Sequence, residues 1–268
     1  MRTESSRFRE VRARAGEWLD GVEGWLMPDE AAVLYLAALE AGRRRSDPCV
    51  VEIGSWKGRS AISLAKGLKD AGASGTLYAI DPHVMKPDIP RMSFDRVPIL
   101  RGNLERAGVS ELVTIIRERS HDARPRFENA SVDVLFVDGQ HVYEAVRQDI
   151  EDWRSTLRPP AIVAFNDYPY PGVRRALREL ALTVRSPFRR ARWRGVTILF
   201  DFDPSAPWSA ADRLRLWRSR IFLLQEDWLA RIERLEKGAG AKRLRASIGS
   251  VYRKVVRRTM RACLPIAE

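Results

Sequence analysis

Five polar clusters, each at or shortly after the end of an apolar run, are the parts of this sequence equipped for chemistry: Glu52 with Gly54, Asp81, Ser120, Asp138 with His141, and Asn166 with Asp167. Asp138 and Asp167, with Asn166, offer oxygen ligands to a hard divalent cation such as Mg²⁺. Such a cation lowers the pKa of a hydroxyl that it binds. His141 follows Asp138 by three residues, and an imidazole that titrates near neutrality can take a hydroxyl proton. Asp81 suits the hydrogen bonds of a ribose diol. Glu52 opens a turn, Gly54-Ser55-Trp56-Lys57-Gly58, at which it can accept hydrogen bonds from a cation or a hydroxyl. The turn has no Gly-Lys-Ser/Thr, its glycines are spaced Gly-x-x-x-Gly, and its acid would repel phosphate. It fits a cationic, adenosine-bearing ligand better. Each residue also has a purely structural reading. Asp81 before Pro82 makes an Asx turn, and Asp138 and His141 suit a helix start. His83 and His121 read as structural.

The elements that must hold these clusters follow from periodicity. Apolar runs at Cys49–Ile53, Thr76–Ile80, Leu112–Ile116, Val132–Val137 and Ala161–Phe165 read as strands. Helical patterns precede and separate them: 4–20, Ala31–Leu39, Ser60–Lys69, Phe94–Ala107, a short one from Ser120, Tyr143–Leu157 ended by Pro159-Pro160, and Pro171–Leu182. Alternation of strand and helix predicts an α/β fold, a parallel sheet with helices on both faces. Residues 182–202 read as a hairpin that adds an antiparallel strand at the sheet edge. Residues 84–98, with three prolines and no clear period, read as a lid. In such a sheet ligands bind beyond the carboxyl ends of the strands, and all five clusters lie there.

Composition narrows the setting. The chain has 268 residues and a formal charge of +12, and residues 204–268 carry 15 Lys and Arg against 6 Asp and Glu. The basicity belongs to that tail. Cys49 and Cys263 have no metal-ligand spacing and form no disulfide framework, which suits a reducing cytoplasm. The charged amino terminus does not read as a signal peptide, and no stretch approaches 18 uninterrupted apolar residues.

Four segments carry a resemblance: Val51-Glu52-Ile53-Gly54-Ser55-Trp56-Lys57-Gly58-Arg59-Ser60, Tyr78-Ala79-Ile80-Asp81-Pro82, Val137-Asp138-Gly139-Gln140-His141-Val142-Tyr143 and Phe165-Asn166-Asp167-Tyr168. In order and spacing, from about Gly24 to Asp201, the chain resembles the class I S-adenosylmethionine-dependent methyltransferases. It is most similar to the metal-dependent O-methyltransferases related to macrocin O-methyltransferase and to the cephalosporin-hydroxylase-like group. The resemblance implies a Rossmann-like, doubly wound, mostly parallel seven-stranded sheet. It implies that Glu52, Gly54, Ser55 and Gly58, with Ser60 at the helix start and Asp138 beyond, line the S-adenosylmethionine site. Asp81 would hold the ribose hydroxyls, and Ser120 and His121 would border the adenine. Asp138, Asn166 and Asp167 match metal ligands for Mg²⁺, and His141 with Asp138 the catalytic pair. Asn166 departs from the pattern, because relatives often carry a carboxylate there.

The expected organisation is a helical extension over 1–47 on the acceptor side, a cofactor-binding domain over 48–203 and a basic helical tail over 204–268. Within the tail, Leu214, Ile221, Trp228 and Leu235 recur every seven residues, with Trp217 and Leu224 between them. Trp217 and Trp228 read as core positions. Gly238-Ala239-Gly240 reads as a hinge. Residues 241–262 set Leu244, Ile248, Val251 and Val255 opposite a basic face, which suits an anionic membrane surface or a polyanion. The expected partners are therefore a small-molecule acceptor, with a sugar or secondary-metabolite hydroxyl, and such a surface. A homo-oligomer is compatible with the seam, and no specific nucleic-acid target is expected. The expected setting is cytoplasmic, with peripheral contact at the inner membrane. Two other readings stand beside this one: a metal-independent or N-directed methyltransferase, and a nucleic-acid- or membrane-binding protein that acts through the tail.

Overall fold

The structure, a computed structural model, describes residues 6–85, 89–183 and 186–237. The hinge at 238–240 and the amphipathic stretch at 241–262 lie outside the described residues. Two helices lead in, α1 (Ser6–Trp18) and α2 (Pro28–Arg44). Then β1 (Cys49–Ile53), α3 (Arg59–Ala71), β2 (Thr76–Ile80), α4 (Val97–Ala107), β3 (Val113–Ile116), α5 (Ser120–Ala123), β4 (Val132–Val137), α6 (Tyr143–Trp153), β5 (Leu157–Phe165) and α7 (Pro171–Ala176) alternate. A hairpin of β6 (Phe188–Arg194) and β7 (Thr197–Phe202) follows, and α8 (Ala210–Lys237) closes the described chain.

The strands form one sheet of seven in the order β3-β2-β1-β4-β5-β7-β6. β1 to β5 pair in parallel, and β7 runs antiparallel to both β5 and β6. This is the doubly wound α/β fold, with the chain reversing outward from β1 at the β1/β4 boundary. Side-chain parity builds the two layers. Val50, Val134, Phe136, Ile162 and Leu199 pack against α1 to α4. Val51, Leu135, Val137, Val163 and Phe200 face the other way, with α5, α6, α7 and α8. The buried strands are apolar on both faces because helices cover both. Glu52 has the parity of Val50 and so enters the first layer as a buried acid.

Three details differ from the sequence reading. α6 stops at Trp153, and Pro159-Pro160 lies inside β5, where the β4–β5 register shifts beside Val132 and Val134. Those prolines sit at an irregularity that can spare the missing donors. Just past α2, the Arg45 guanidinium pairs at 2.8 Å with the buried Asp133. In α8 the buried side chains among the described residues are Asp212, Leu216, Ser219, Phe222, Leu223 and Glu226, while Trp217 is 60% and Trp228 49% exposed. The two tryptophans are thus not core. The helix lies on β6 along a neighbouring face, with Trp193 donating to Ser219 at 2.9 Å.

Candidate active site

The carboxyl ends of the strands are tied edge to edge by backbone hydrogen bonds. Asp81 N donates to Ile116 O, Gly54 N to Ile80 O, Asp138 N to Ile53 O, and Asn166 N to Val137 O, at 2.8–3.1 Å. Four of the five predicted clusters therefore sit in one row. Gly54 is where the row is tightest. Its φ is +92°, and a Cβ there would lie 2.2 Å from the Asp138 carbonyl oxygen. Only glycine takes that φ without strain and admits that approach.

Glu52 is fully buried, and neither carboxylate oxygen has a hydrogen-bond partner. Burial pushes its carboxyl up to about 8. Asp138 and Asp81 add to the shift, and the nearby Ser60 hydroxyl opposes it without reaching bonding geometry. Next to it, Ser55 Oγ and Trp56 Nε1 are also buried without partners. Such a group of orphaned polar atoms is rare in a finished interior. A consequence is measurable. The unfolded carboxyl ionises near its ordinary value, whereas the folded one keeps its proton to about 8. The unfolded state therefore binds fewer protons between those limits, and stability falls as pH rises from about 4.5 to about 8. Glu52→Gln is expected to flatten that slope, on the order of 4 kcal/mol across the window. Urea unfolding at pH 5, 6, 7 and 8 reads it, and parallel slopes for variant and wild type would refute the assignment.

Asp81 is held from both sides. Its Oδ2 accepts from Trp56 N at 3.0 Å and its Oδ1 from His83 N at 2.7 Å. His83 is fully buried, its Nδ1 lies 3.8 Å from Asp81 Oδ1, neither ring nitrogen makes a hydrogen bond, and burial lowers its pKa. Ser120 donates to Asp149 at 2.5 Å, a buried acid on α6 whose carboxyl burial pushes up to about 6. His121 is half-exposed and lies 3.0 Å from Asp122. Arg96 is also buried, stacked 4.6 Å over the Trp56 ring, with Nε and Nη1 unpartnered.

Asp138, His141 and Asp167 converge, with potential ligand atoms all within 4.8 Å of one another. His141 Nε2 lies 3.6 Å from Asp138 Oδ1 and 3.3 Å from Asp167 Oδ2. The Asp138 carboxylate raises the imidazole pKa first, burial opposes it, and Asp167 adds to the rise. Burial pushes both aspartate carboxyls up. Asp167 takes a φ of +57°, a left-handed turn that aspartate tolerates better than most residues. Asn166 is buried, its Oδ1 accepts from the Thr197 hydroxyl at 2.6 Å, and its amide opposes the rise of the Asp138 carboxyl.

Four site residues were not legible beforehand: Glu30, Tyr170, Thr197 and Asp149. Tyr170 stacks on His141, with centroids 4.5 Å apart. Glu30, fully buried at the start of α2, accepts from Met27 N at 2.9 Å and Val196 N at 2.7 Å. Burial pushes its carboxyl up, and Asp167 and Asp138 push it the same way. Asp149 had one signal, an acid on the apolar face of a helix between Val146 and Ile150.

Residues 51–168 match the family model of a methyltransferase domain. Over 53 residues, 20% of the chain, the sequence is 40% identical to an uncharacterized protein, y4gI, of Sinorhizobium fredii, and spans 6% of that protein's length. Among solved structures, the fold is similar to TomG from Streptomyces achromogenes, an O-methyltransferase in tomaymycin synthesis solved with S-adenosylmethionine. That likeness has a TM-score of 0.50 and 21% identity, and covers 75% of this chain and 92% of that one. An O-methyltransferase from Bacillus cereus in complex with S-adenosylhomocysteine gives a TM-score of 0.50 at 18% identity, over 75% and 93% of the two chains. The O-methyltransferase NovP gives 0.54 at 16%, over 72% and 87%. At these identities the likeness is one of fold.

Proposed function

We propose that the chain, whose residues 51–168 match the family model of a methyltransferase domain, is an S-adenosylmethionine-dependent O-methyltransferase acting on a hydroxyl of a small molecule, a sugar or a secondary metabolite. The observation that carries the oxygen-directed reading is the His141 imidazole, held between the Asp138 and Asp167 carboxylates at 3.6 and 3.3 Å. Two anions hold the ring in place and favour the imidazolium that forms when it accepts a proton.

The residues present fit a sulfonium nucleoside. Glu52, Ser55 and Trp56 leave buried polar atoms unpartnered around the Gly54 turn, and an acid there matches a positive ligand. Asp81, fixed by two backbone amides, is placed to accept from the ribose diol. Two carboxylates beside an imidazole also fit a divalent cation, which Asp138 and Asp167 would hold, with Asn166 beside them. When bound, such an ion, Mg²⁺ in this reading, lowers the pKa of the acceptor hydroxyl. His141 takes the hydroxyl proton at its ring nitrogen. Holding the acceptor oxygen in line with the sulfonium methyl does the rest, because the transfer is a direct displacement.

Calorimetric titration with S-adenosylhomocysteine, with and without Mg²⁺, tests the reading. The expected result is a Kd of about micromolar order for the wild type, weakened at least about tenfold in Asp81→Ala. No heat from the wild type in either condition would overturn it and favour a protein that acts through its basic tail. Binding that is indifferent to Mg²⁺, with full turnover in a chelator, would move the proposal to a metal-independent transferase. Among the described residues, no helix is long and apolar enough to cross a membrane.

A further inference from the structure

α8 has two apolar faces, and only one is in use. Leu216, Phe222 and Leu223 are buried against the domain, where Phe222 meets Tyr168 and Trp193 edge-on at 5.4 and 5.2 Å. Leu214, Trp217 and Leu224 stand outside at 46%, 60% and 53% exposure, with Ile221 partly covered between them. Their spacing of three, four and three residues is that of a seam for another helix. A single exposed leucine means nothing, but an ordered stripe of large apolar side chains marks a contact.

The sequence after α8 carries the matching half. The seam positions continue as Trp228, Arg231 and Leu235, and Gly238-Ala239-Gly240 follows. Beyond it, Leu244, Ile248, Val251, Val255, Arg258 and Ala262 repeat with the mirrored spacing of four, three, four, three and four. One mirror point, between Ala239 and Gly240, pairs every seam position from Trp217 to Leu235. Leu235 falls opposite Leu244, Arg231 opposite Ile248, Trp228 opposite Val251, Leu224 opposite Val255, Ile221 opposite Arg258, and Trp217 opposite Ala262. The largest side chain meets the smallest, and each arginine meets an aliphatic residue along which its stem can lie. The lengths also agree, since residues 217–235 and 244–262 each span about 27 Å as helix.

We propose that residues 241–262 dock antiparallel on the Trp217–Ile221–Leu224 part of the α8 stripe in the same chain, forming a helical hairpin. A three-residue connection gives the tail an effective concentration of about millimolar order, which favours it over a second copy of the chain. Lys242, Arg243, Arg253 and Arg257 then fall outside the seam, and the hairpin presents a basic outer face. The assignment does not depend on the methyl-transfer reading.

Paired cysteines test it in the full-length chain, with Cys263→Ser as background. Burial pushes the remaining Cys49 thiol up to about 12, which keeps it unreactive. Leu224→Cys with Val255→Cys is in register. Leu224→Cys with Ile248→Cys uses the same apolar face but is offset by about 10 Å along the helix. Under diamide, the first pair is expected to close within one chain at least about tenfold faster than the second, as facing positions allow and offset ones do not. Equal rates for the two pairs, no closure of the first, or covalent dimers in its place would overturn the proposal, and dimers would assign the stripe to a second copy.

Discussion

Replacing His141 with alanine is expected to lower kcat about 10²–10⁴-fold at neutral pH while leaving S-adenosylhomocysteine binding unchanged. The split follows from position. His141 faces Asp138 and Asp167, while the cofactor contacts are assigned to the Glu52–Gly58 turn and to Asp81. The pH dependence has a defined sign. The Asp138 contact is the largest cause holding the imidazole pKa above its ordinary value. A base must be neutral to act, so the rate rises as pH passes upward through that raised value. Asp138→Asn removes the charge, and the rising limb is expected to move to lower pH along with a lower plateau. A His141→Ala enzyme with near wild-type kcat, or a limb that does not move, would remove His141 from the base role.

Gly54→Ala is expected to lose cofactor binding and to lower the melting temperature by about 10 °C. A left-handed φ costs a non-glycine residue about 1–3 kcal/mol, and here a Cβ would also lie 2.2 Å from the Asp138 carbonyl oxygen. That oxygen is main chain, so relief requires parting β1 from β4 at the site, where Asp138 N donates to Ile53 O. A loss on the order of 3 kcal/mol gives a shift of that size in a domain of this length. Gly72→Ala is the control. Its φ is +67°, but its Cβ would meet nothing within 4 Å. It carries the backbone strain alone, and cofactor binding should survive. If both variants melt together and both bind, the close approach of the two strand ends is not what fixes the turn.

The row of strand ends was legible because acids and glycines interrupt otherwise apolar runs, and a parallel sheet gathers such interruptions at one edge. Asp81, Asp138 and Asp167 could be named from their place after β2, β4 and β5 alone. Glu30 could not. An acid three residues into a helix reads as a cap, and Glu30 is one, accepting from Met27 N. That the same carboxylate reaches Val196, 166 residues away, is a tertiary fact with no local signal. Thr197 is hidden in the same way inside a strand. Pro159-Pro160 misled in the other direction, since prolines that ordinarily end helices lie here at a strand irregularity. In α8 periodicity found the seam but not the covered face, because two apolar stripes share one helix and only packing separates them.

The link between Glu30 and Val196 also bears on how the molecule comes into being. Val196 O accepts from Tyr168 N, and Thr197 holds Asn166, so the turn between β6 and β7 braces the loop that carries Asp167. Synthesis delivers residues 30, 138 and 167 before residue 197, and domains form as their segments leave the ribosome. A nascent chain halted before β7 has every candidate catalytic side chain but neither the Glu30–Val196 contact nor the brace on Asn166. The candidate catalytic corner is thus complete only once β7 has been made.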